Sequence, residues 1–201
     1  MNYFSRRTQG HADAPLFLTF HGTGGTEDQF HDLAEQLVPG AHIVSPRGDV
    51  LEHGALRFFR RTGEGVYDME DLAQRTNAMV SFIQAERTCC AADRIIGLGY
   101  SNGANILASV AFLRPELLND IVLMHPLIPW TPDPQPELAG RRFLITAGRH
   151  DPICPAEQTE KLASYLSAQG ADVEIFWHSG GHEIDPSEII EIRNFLEPAL
   201  P

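Results

Sequence analysis

The chain has 201 residues, 43% hydrophobic and 21% charged, enough apolar content for a packed core and too much for a disordered chain. Fifteen Lys and Arg against 27 Asp and Glu leave a formal charge of −12. That charge repels phosphate backbones and anionic lipid, so neither nucleic acid nor stable membrane association is expected.

In chain order, apolar runs and amphipathic stretches alternate. A strand is predicted at 16–21, then a helix at 27–38 with Phe30, Leu33, Ala34 and Leu37 on one face. A strand at 42–46 and a helix at 68–87 follow, then a strand at 94–99 and a helix at 102–113. Strands at 121–125 and 142–147 precede a helix at 155–169, and a strand at 173–178 precedes a helix at 186–196. Pro155 and Pro186 read as first-turn prolines and Gly170 as a helix stop. The strands are continuous apolar runs, as expected when both faces of a parallel sheet are covered. The alternation predicts a three-layer α/β sandwich, a mostly parallel sheet with helices on both faces, folded as one domain over 1–201. Two segments stand apart as long loops. Residues 49–67 contain Arg57-Phe58-Phe59-Arg60-Arg61, and 129–140 hold Trp130 and four prolines, too short a stretch for a cap domain.

The strongest chemical signal is Gly99-Tyr100-Ser101-Asn102-Gly103, a G-x-S-x-G between a predicted strand and a predicted helix. A tight strand-to-helix turn lifts a serine hydroxyl clear of the sheet, and the helix N-terminus offers free N–H groups to a developing oxyanion. Gly97, Gly99 and Gly103 also approximate a dinucleotide-binding G-x-G-x-x-G. The third glycine comes one residue late, and the following strand ends on His125-Pro126 rather than on an acidic residue.

A serine needs a base, and the base needs an orienting group. Asp151 lies in the loop leaving the 142–147 strand, and His182 follows Ser179-Gly180-Gly181 after the 173–178 strand. Taken singly, Asp151 could cap a helix and His182 could be an exposed turn histidine. Together with Ser101 they lie at strand exits, in the order of a Ser–Asp–His triad. His21 reads as a structural residue of its glycine loop; His125, His150 and His178 also sit near strand ends but are set aside as bases. The turn His21-Gly22-Thr23-Gly24-Gly25 is suited to an oxyanion donor at Thr23, with Asn102 as the second. No Gly-Lys-Ser/Thr follows it, which excludes a phosphate loop.

These motifs, with Ser45-Pro46-Arg47-Gly48 and the run Ala147 to Pro155, resemble the small carboxylesterase/phospholipase branch of the α/β-hydrolases, which includes acyl-protein thioesterases. The resemblance covers nearly the whole chain. It implies an α/β-hydrolase fold without a cap domain and a serine carboxylesterase that needs no cofactor and acts on a small-molecule ester. Asn102 stands where members often have Gln, which keeps the backbone donor. Phe58-Phe59-Arg60 stands where acyl-protein thioesterases carry Trp-Phe-Asp, which weakens transfer of their substrate preference. Some dienelactone hydrolases are of similar size but use a cysteine nucleophile, and Ser101 argues against that chemistry.

With an open mouth, short- to medium-chain esters are expected, with Phe58, Phe59, Trp130 and Ile153 as candidate apolar wall and Arg60 or Arg61 as an attractor of a substrate anion. A thioesterase, a lysophospholipase or a non-catalytic binding module are the alternatives. Cys89, Cys90 and Cys154 are too few and too oddly placed for a disulfide framework or a metal site. With no apolar stretch after Arg6-Arg7, a cytoplasmic location is expected. The 186–196 helix can pack within the chain or across a homodimer.

Overall fold

A polar edge strand, β1 (Ser5–Thr8), opens the sheet; its sequence SRRT carries no apolar run and so escapes a reading based on hydrophobicity. The structure is a computed structural model that describes residues 3–197. After β1 come β2 (Leu16–Phe20), α1 (His31–Leu37) and β3 (His42–Pro46). Next are two small hairpins, β4 (Val50–Glu52) with β5 (Ala55–Arg57), and β6 (Arg61–Gly63) with β7 (Val66–Tyr67). Then follow α2 (Met69–Cys90), β8 (Ile95–Tyr100), α3 (Asn102–Leu113), β9 (Asp120–Met124), β10 (Arg142–Gly148), α4 (Ala156–Ala168), β11 (Asp172–His178) and α5 (Pro186–Leu196).

The central sheet runs β1-β3-β2-β8-β9-β10-β11, with β1 antiparallel to β3 and the other neighbours parallel. Successive side chains alternate between two cores. Leu16, Leu18, Ile121, Leu123, Phe143 and Ile145 join α2, α3 and α4 on one face. Phe17, Ile96, Leu98, Val122, Met124 and Leu144 join α1 and α5 on the other. Burial on both faces is why these strands read as continuous apolar runs. Ile192, Phe195 and Leu196 of α5 are buried within this chain's own core, so the apolar stripe is satisfied internally.

Several boundaries differ from the sequence reading for local reasons. Residues 27–30 form a turn, and α1 starts only at His31, after Phe30 at its N-cap position. Asp68 caps α2 by accepting the Asp71 N–H, and α2 runs to Cys90, where Ala91 at φ 50° closes it. Pro155 is the N-cap of α4 rather than a residue of its first turn, and Gly170 (φ 83°) follows the C-cap residue Gln169. The 49–67 segment is not a long loop: its strands of two or three residues are too short to leave a periodic signal. Among the described residues, 129–140 forms only the short 3-10 turn Pro136–Leu138 and no cap domain, and no helix is long and apolar enough to cross a membrane.

Because β8 to β11 are parallel, the loops after them open at one edge of the sheet, and these loops carry Ser101, His125, Asp151 and His182. Helix α3 reaches this edge by lying almost against β2: a Cβ on Gly103 would overlap the carbonyl oxygens of Phe20 and His21. Gly103→Ala is therefore expected to cost about 1–3 kcal/mol through overpacking, read as a lower urea midpoint; an unchanged midpoint would contradict the close approach.

Candidate active site

Ser101 stands between β8 and α3 with φ 51° and ψ −114°, a conformation that costs an L-residue of order 1–3 kcal/mol. The turn is held from both sides: the Ser101 N–H donates to the Met124 carbonyl at 2.8 Å, and its carbonyl accepts the Asn105 N–H at 3.0 Å. A Cβ on Gly99 would collide with the backbone of Gly103 and Ala104, so both glycines of the motif serve the close strand–helix packing. Together these contacts aim the hydroxyl outward, over the edge of the sheet.

The loop after β11 brings His182 to meet it. Tyr100, one residue before the serine, donates its hydroxyl to the His182 carbonyl at 2.7 Å and stacks at a tilt on the ring, centroids 5.4 Å apart. His182 Nδ1 lies 2.7 Å from Asp151 Oδ2, and its Nε2 lies 2.9 Å from Ser101 Oγ. A carboxylate can only accept, so Nδ1 carries the ring proton and Nε2 is left to accept from the serine. The other oxygen of Asp151 accepts the N–H groups of Ile153 and Cys154 at 2.8 and 2.9 Å. Burial alone would raise the Asp151 carboxyl, but the Cys154 N–H and the His125 and His182 rings outweigh it and hold the group below the usual carboxylate range. This buried acid is kept ionised.

Thr23 and Asn102, the two expected oxyanion donors, line the same cavity as Ser101. Asn102 is the first residue of α3, so its N–H has no acceptor within the helix. In the glycine turn, Gly22 N–H goes to Gln29 Oε1, Gly24 N–H to the Leu56 carbonyl and Gly25 N–H to the Gly22 carbonyl. The Thr23 N–H remains as the uncommitted donor of that turn, while its hydroxyl accepts from Arg57 at 2.8 Å. His21 is the structural residue expected: buried, it donates Nδ1–H to the Gly22 carbonyl and accepts the Gly48 N–H at Nε2. Burial lowers its pKa, in keeping with a neutral ring that holds two loops together.

Residues 63 apart in sequence complete a buried network that sequence reasoning missed. His125, set aside above, places Nδ1 3.0 Å from Asp151 Oδ2 and Nε2 3.1 Å from Glu188 Oε1, all three side chains fully buried. Its one visible signal is a histidine at a strand exit. Glu188 could have been found from Asp185-Pro186-Ser187-Glu188, a capping-box pattern that the structure forms at the start of α5. His178 accepts the Gly180 N–H at Nδ1, so its Nε2 carries the proton and points at Glu188 from 3.7 Å. His125, Asp151 and His182, and likewise His125, His178 and Glu188, bring ligand-type atoms within 4.8 Å. The ring protons just assigned, on His178 Nε2 and His182 Nδ1, occupy the lone pairs a cation would need, so these groups fit a hydrogen-bond network better than a metal site. His150 is exposed and bonded to the Ser179 carbonyl.

The cavity at Ser101 has a volume of about 290 Å³ and includes Thr23, Arg57, Arg61, Tyr67, Asn105, Leu127, Ile153 and His182 in its lining. Of the wall expected from sequence, only Ile153 lines it. Phe58 and Phe59 are fully buried: the Phe58 N–H donates to Asn102 Oδ1 at 2.7 Å, its ring packs on Phe20 and His21, and Phe59 packs on Tyr67. These rings support the site from beneath. Arg60 turns away, pairing with Asp68 and Asp71. Trp130 lies behind Tyr67, centroids 5.9 Å apart, and lines neighbouring grooves instead. Arg61 does line the cavity, but it and the buried Arg57 share Glu52 as counter-ion. Tyr67, missed from sequence, donates to the Leu127 carbonyl and accepts from Asn105, fixing the rim.

Cys154 touches this cavity yet is buried, its Sγ 3.2 Å from the His125 carbonyl and its thiol pushed up by burial and by the Asp151 charge. Iodoacetamide should label the exposed Cys89 on the folded protein and leave Cys154 unmodified until unfolding. Peptide mass spectrometry checks this, and early labelling of Cys154 would contradict it.

Comparison with known proteins places the chain in a family. The chain is 40% identical over 187 residues to the putative hydrolase MhqD of Bacillus subtilis, covering 92% of this chain and 94% of that one. The solved structure of Atu2452 from Agrobacterium tumefaciens is 55% identical, covers 98% of this chain and 96% of its own, and superposes with a TM-score of 0.93. A Bacillus cereus carboxylesterase is 37% identical with the same TM-score, over 98% of this chain and 95% of its own. Residues 52–183, which include Ser101, Asp151 and His182, match the family model described as the dienelactone hydrolase family. With a serine at the elbow, the chain belongs to the dienelactone hydrolase family.

Proposed function

We propose that the chain is a serine carboxylesterase that hydrolyses short- to medium-chain carboxylic esters through an acyl-enzyme. The observation that carries this reading is the His182 ring bridging Ser101 Oγ and Asp151 Oδ2 at the head of α3. Ser101 Oγ attacks the ester carbonyl as its proton passes to His182 Nε2, and Asp151 holds the ring and stabilises the cation formed. The N–H groups of Thr23 and Asn102 receive the tetrahedral oxyanion, an arrangement worth roughly 3–4 kcal/mol per donor in comparable enzymes. His182 then protonates the departing alcohol. Water, deprotonated by the same ring, attacks the acyl-enzyme and regenerates the serine.

Support for the substrate class comes from the cavity and from one relative. A volume of about 290 Å³ with Leu127 and Ile153 on its wall suits a short acyl group. The Bacillus cereus relative is named a carboxylesterase. The three free cysteines suit a reducing, cytoplasmic setting.

The test is hydrolysis of p-nitrophenyl esters of increasing acyl length, with a matched thioester series beside them. Ser101→Ala should lower kcat by roughly ten-thousand-fold or more, as loss of the nucleophile does in serine hydrolases; retained turnover would overturn the reading. A preference for the thioester series would move the assignment to a thioesterase. Arg60→Ala should leave kcat/KM within about twofold, the range of a neutral surface change. Ile153→Trp should shift the optimum toward shorter acyl groups. A loss of kcat/KM well beyond twofold in Arg60→Ala would return Arg60 to the role of a substrate-anion attractor, and an unmoved optimum in Ile153→Trp would remove Ile153 from the acyl pocket.

A further inference from the structure

The mechanism above uses one imidazole, yet a second one touches the same carboxylate oxygen. His125 directly follows β9 in a left-handed conformation, φ 50°, and its ring lies between Asp151 and Glu188. A neutral imidazole has one N–H, whereas both nitrogens of His125 face carboxylate oxygens. Either the ring is doubly protonated or one carboxyl carries the second proton. The remaining contacts decide between them. Asp151 already accepts from Ile153, Cys154 and His182, and Glu188 Oε2 accepts the Asp185 N–H at 2.7 Å. Acids so surrounded by donors favour the ionised form. Consistently, the paired carboxylates raise the His125 pKa despite its burial.

We propose that His125 is an imidazolium bridging Asp151 to Glu188, and that it acts as a positioning residue that tempers the charge Asp151 presents to His182, leaving that ring free to accept the Ser101 proton. The kinetic half of this proposal rests on the triad reading; the protonation state of His125 does not. The two rings lie 5.2 Å apart between centroids, so a positive His125 opposes a proton arriving on His182. Other groups facing His125 leave this account intact. The Tyr100 phenol, 5.8 Å away ring to ring, is pushed up to about 12 by burial. The Cys154 thiol is raised as well, and His178 presents an N–H toward Glu188. Glu183 is exposed and stays unchanged in the variants below.

Glu188→Gln keeps an acceptor for the Asp185 N–H, and so the helix cap, while removing the charge that holds the second proton on His125. The ring then becomes neutral, Asp151 acts on His182 with its full charge, and the acidic limb of kcat/KM should move to higher pH by about 1 unit. His125→Gln should produce the same shift, and the double variant no more than either alone. Independently of activity, 15N NMR of histidine-labelled wild type should show one ring doubly protonated at pH values where the acidic limb has ended. That signal should be lost in both single variants. Absence of such a ring in wild type overturns the proposal even if the variants fail to fold. A folded Glu188→Gln protein with an unmoved limb overturns the role given to the cation. Should Ser101→Ala keep its activity, the triad reading fails separately, and the NMR result still stands or falls alone.

Discussion

One strained residue organises the site. Ser101 holds a backbone conformation that L-residues avoid, and it does so because β8 stops and α3 starts with no residue to spare between them. The strain is tolerated because Gly99 and Gly103 let the helix press onto β8 and β2, where any side chain would clash. From that closeness follow the outward hydroxyl and the free N–H of Asn102 at the mouth of α3. The Asn102 side chain extends the constraint: its Oδ1 holds the Phe58 N–H and so pins the hairpin region against the elbow.

The second organising feature is the parallel sheet's carboxyl edge. Adjacent parallel strands deliver successive loops to one place, so a serine, a carboxylate and an imidazole far apart in sequence meet without long excursions of the chain. Charge is then handled in layers beneath the surface. Ser101 meets His182, His182 meets Asp151, Asp151 meets His125, and His125 meets Glu188, which also caps α5. The buried Asp151 and Glu188 carboxylates each have an imidazole partner and a backbone donor, which buried charge requires. A helix start, a strand end and the elbow serine are thereby joined in one hydrogen-bonded chain.

Much of this was legible in the sequence, and the reasons are physical. Strands covered on both faces read as apolar runs, and Ser101, Asp151 and His182 announced themselves by standing at strand exits in a known order. The short strands were not legible. β1 is polar and held by pairing with β3, and the hairpin strands β4 to β7 are too brief to show a period. Side-chain direction was not legible either: Phe58 and Phe59 looked like a substrate wall, yet the hydrogen bond to Asn102 turns them into core. Arg57 and Arg61 face the cavity while Arg60, between them, faces α2, and no spacing rule distinguishes the three in an irregular segment. The His125–Glu188 pair depends on tertiary proximity alone, because neither residue carries a local signature of the other.

The central claim is that Ser101 is a nucleophile activated by the His182–Asp151 pair. The most direct measurement is intact and peptide mass spectrometry after reaction with a fluorophosphonate, which forms a stable phosphonyl adduct only on an activated hydroxyl. One adduct per chain, located on the peptide containing Ser101 and lost in His182→Ala, is the predicted result. No adduct on the folded protein, or modification of a different residue, would contradict the account.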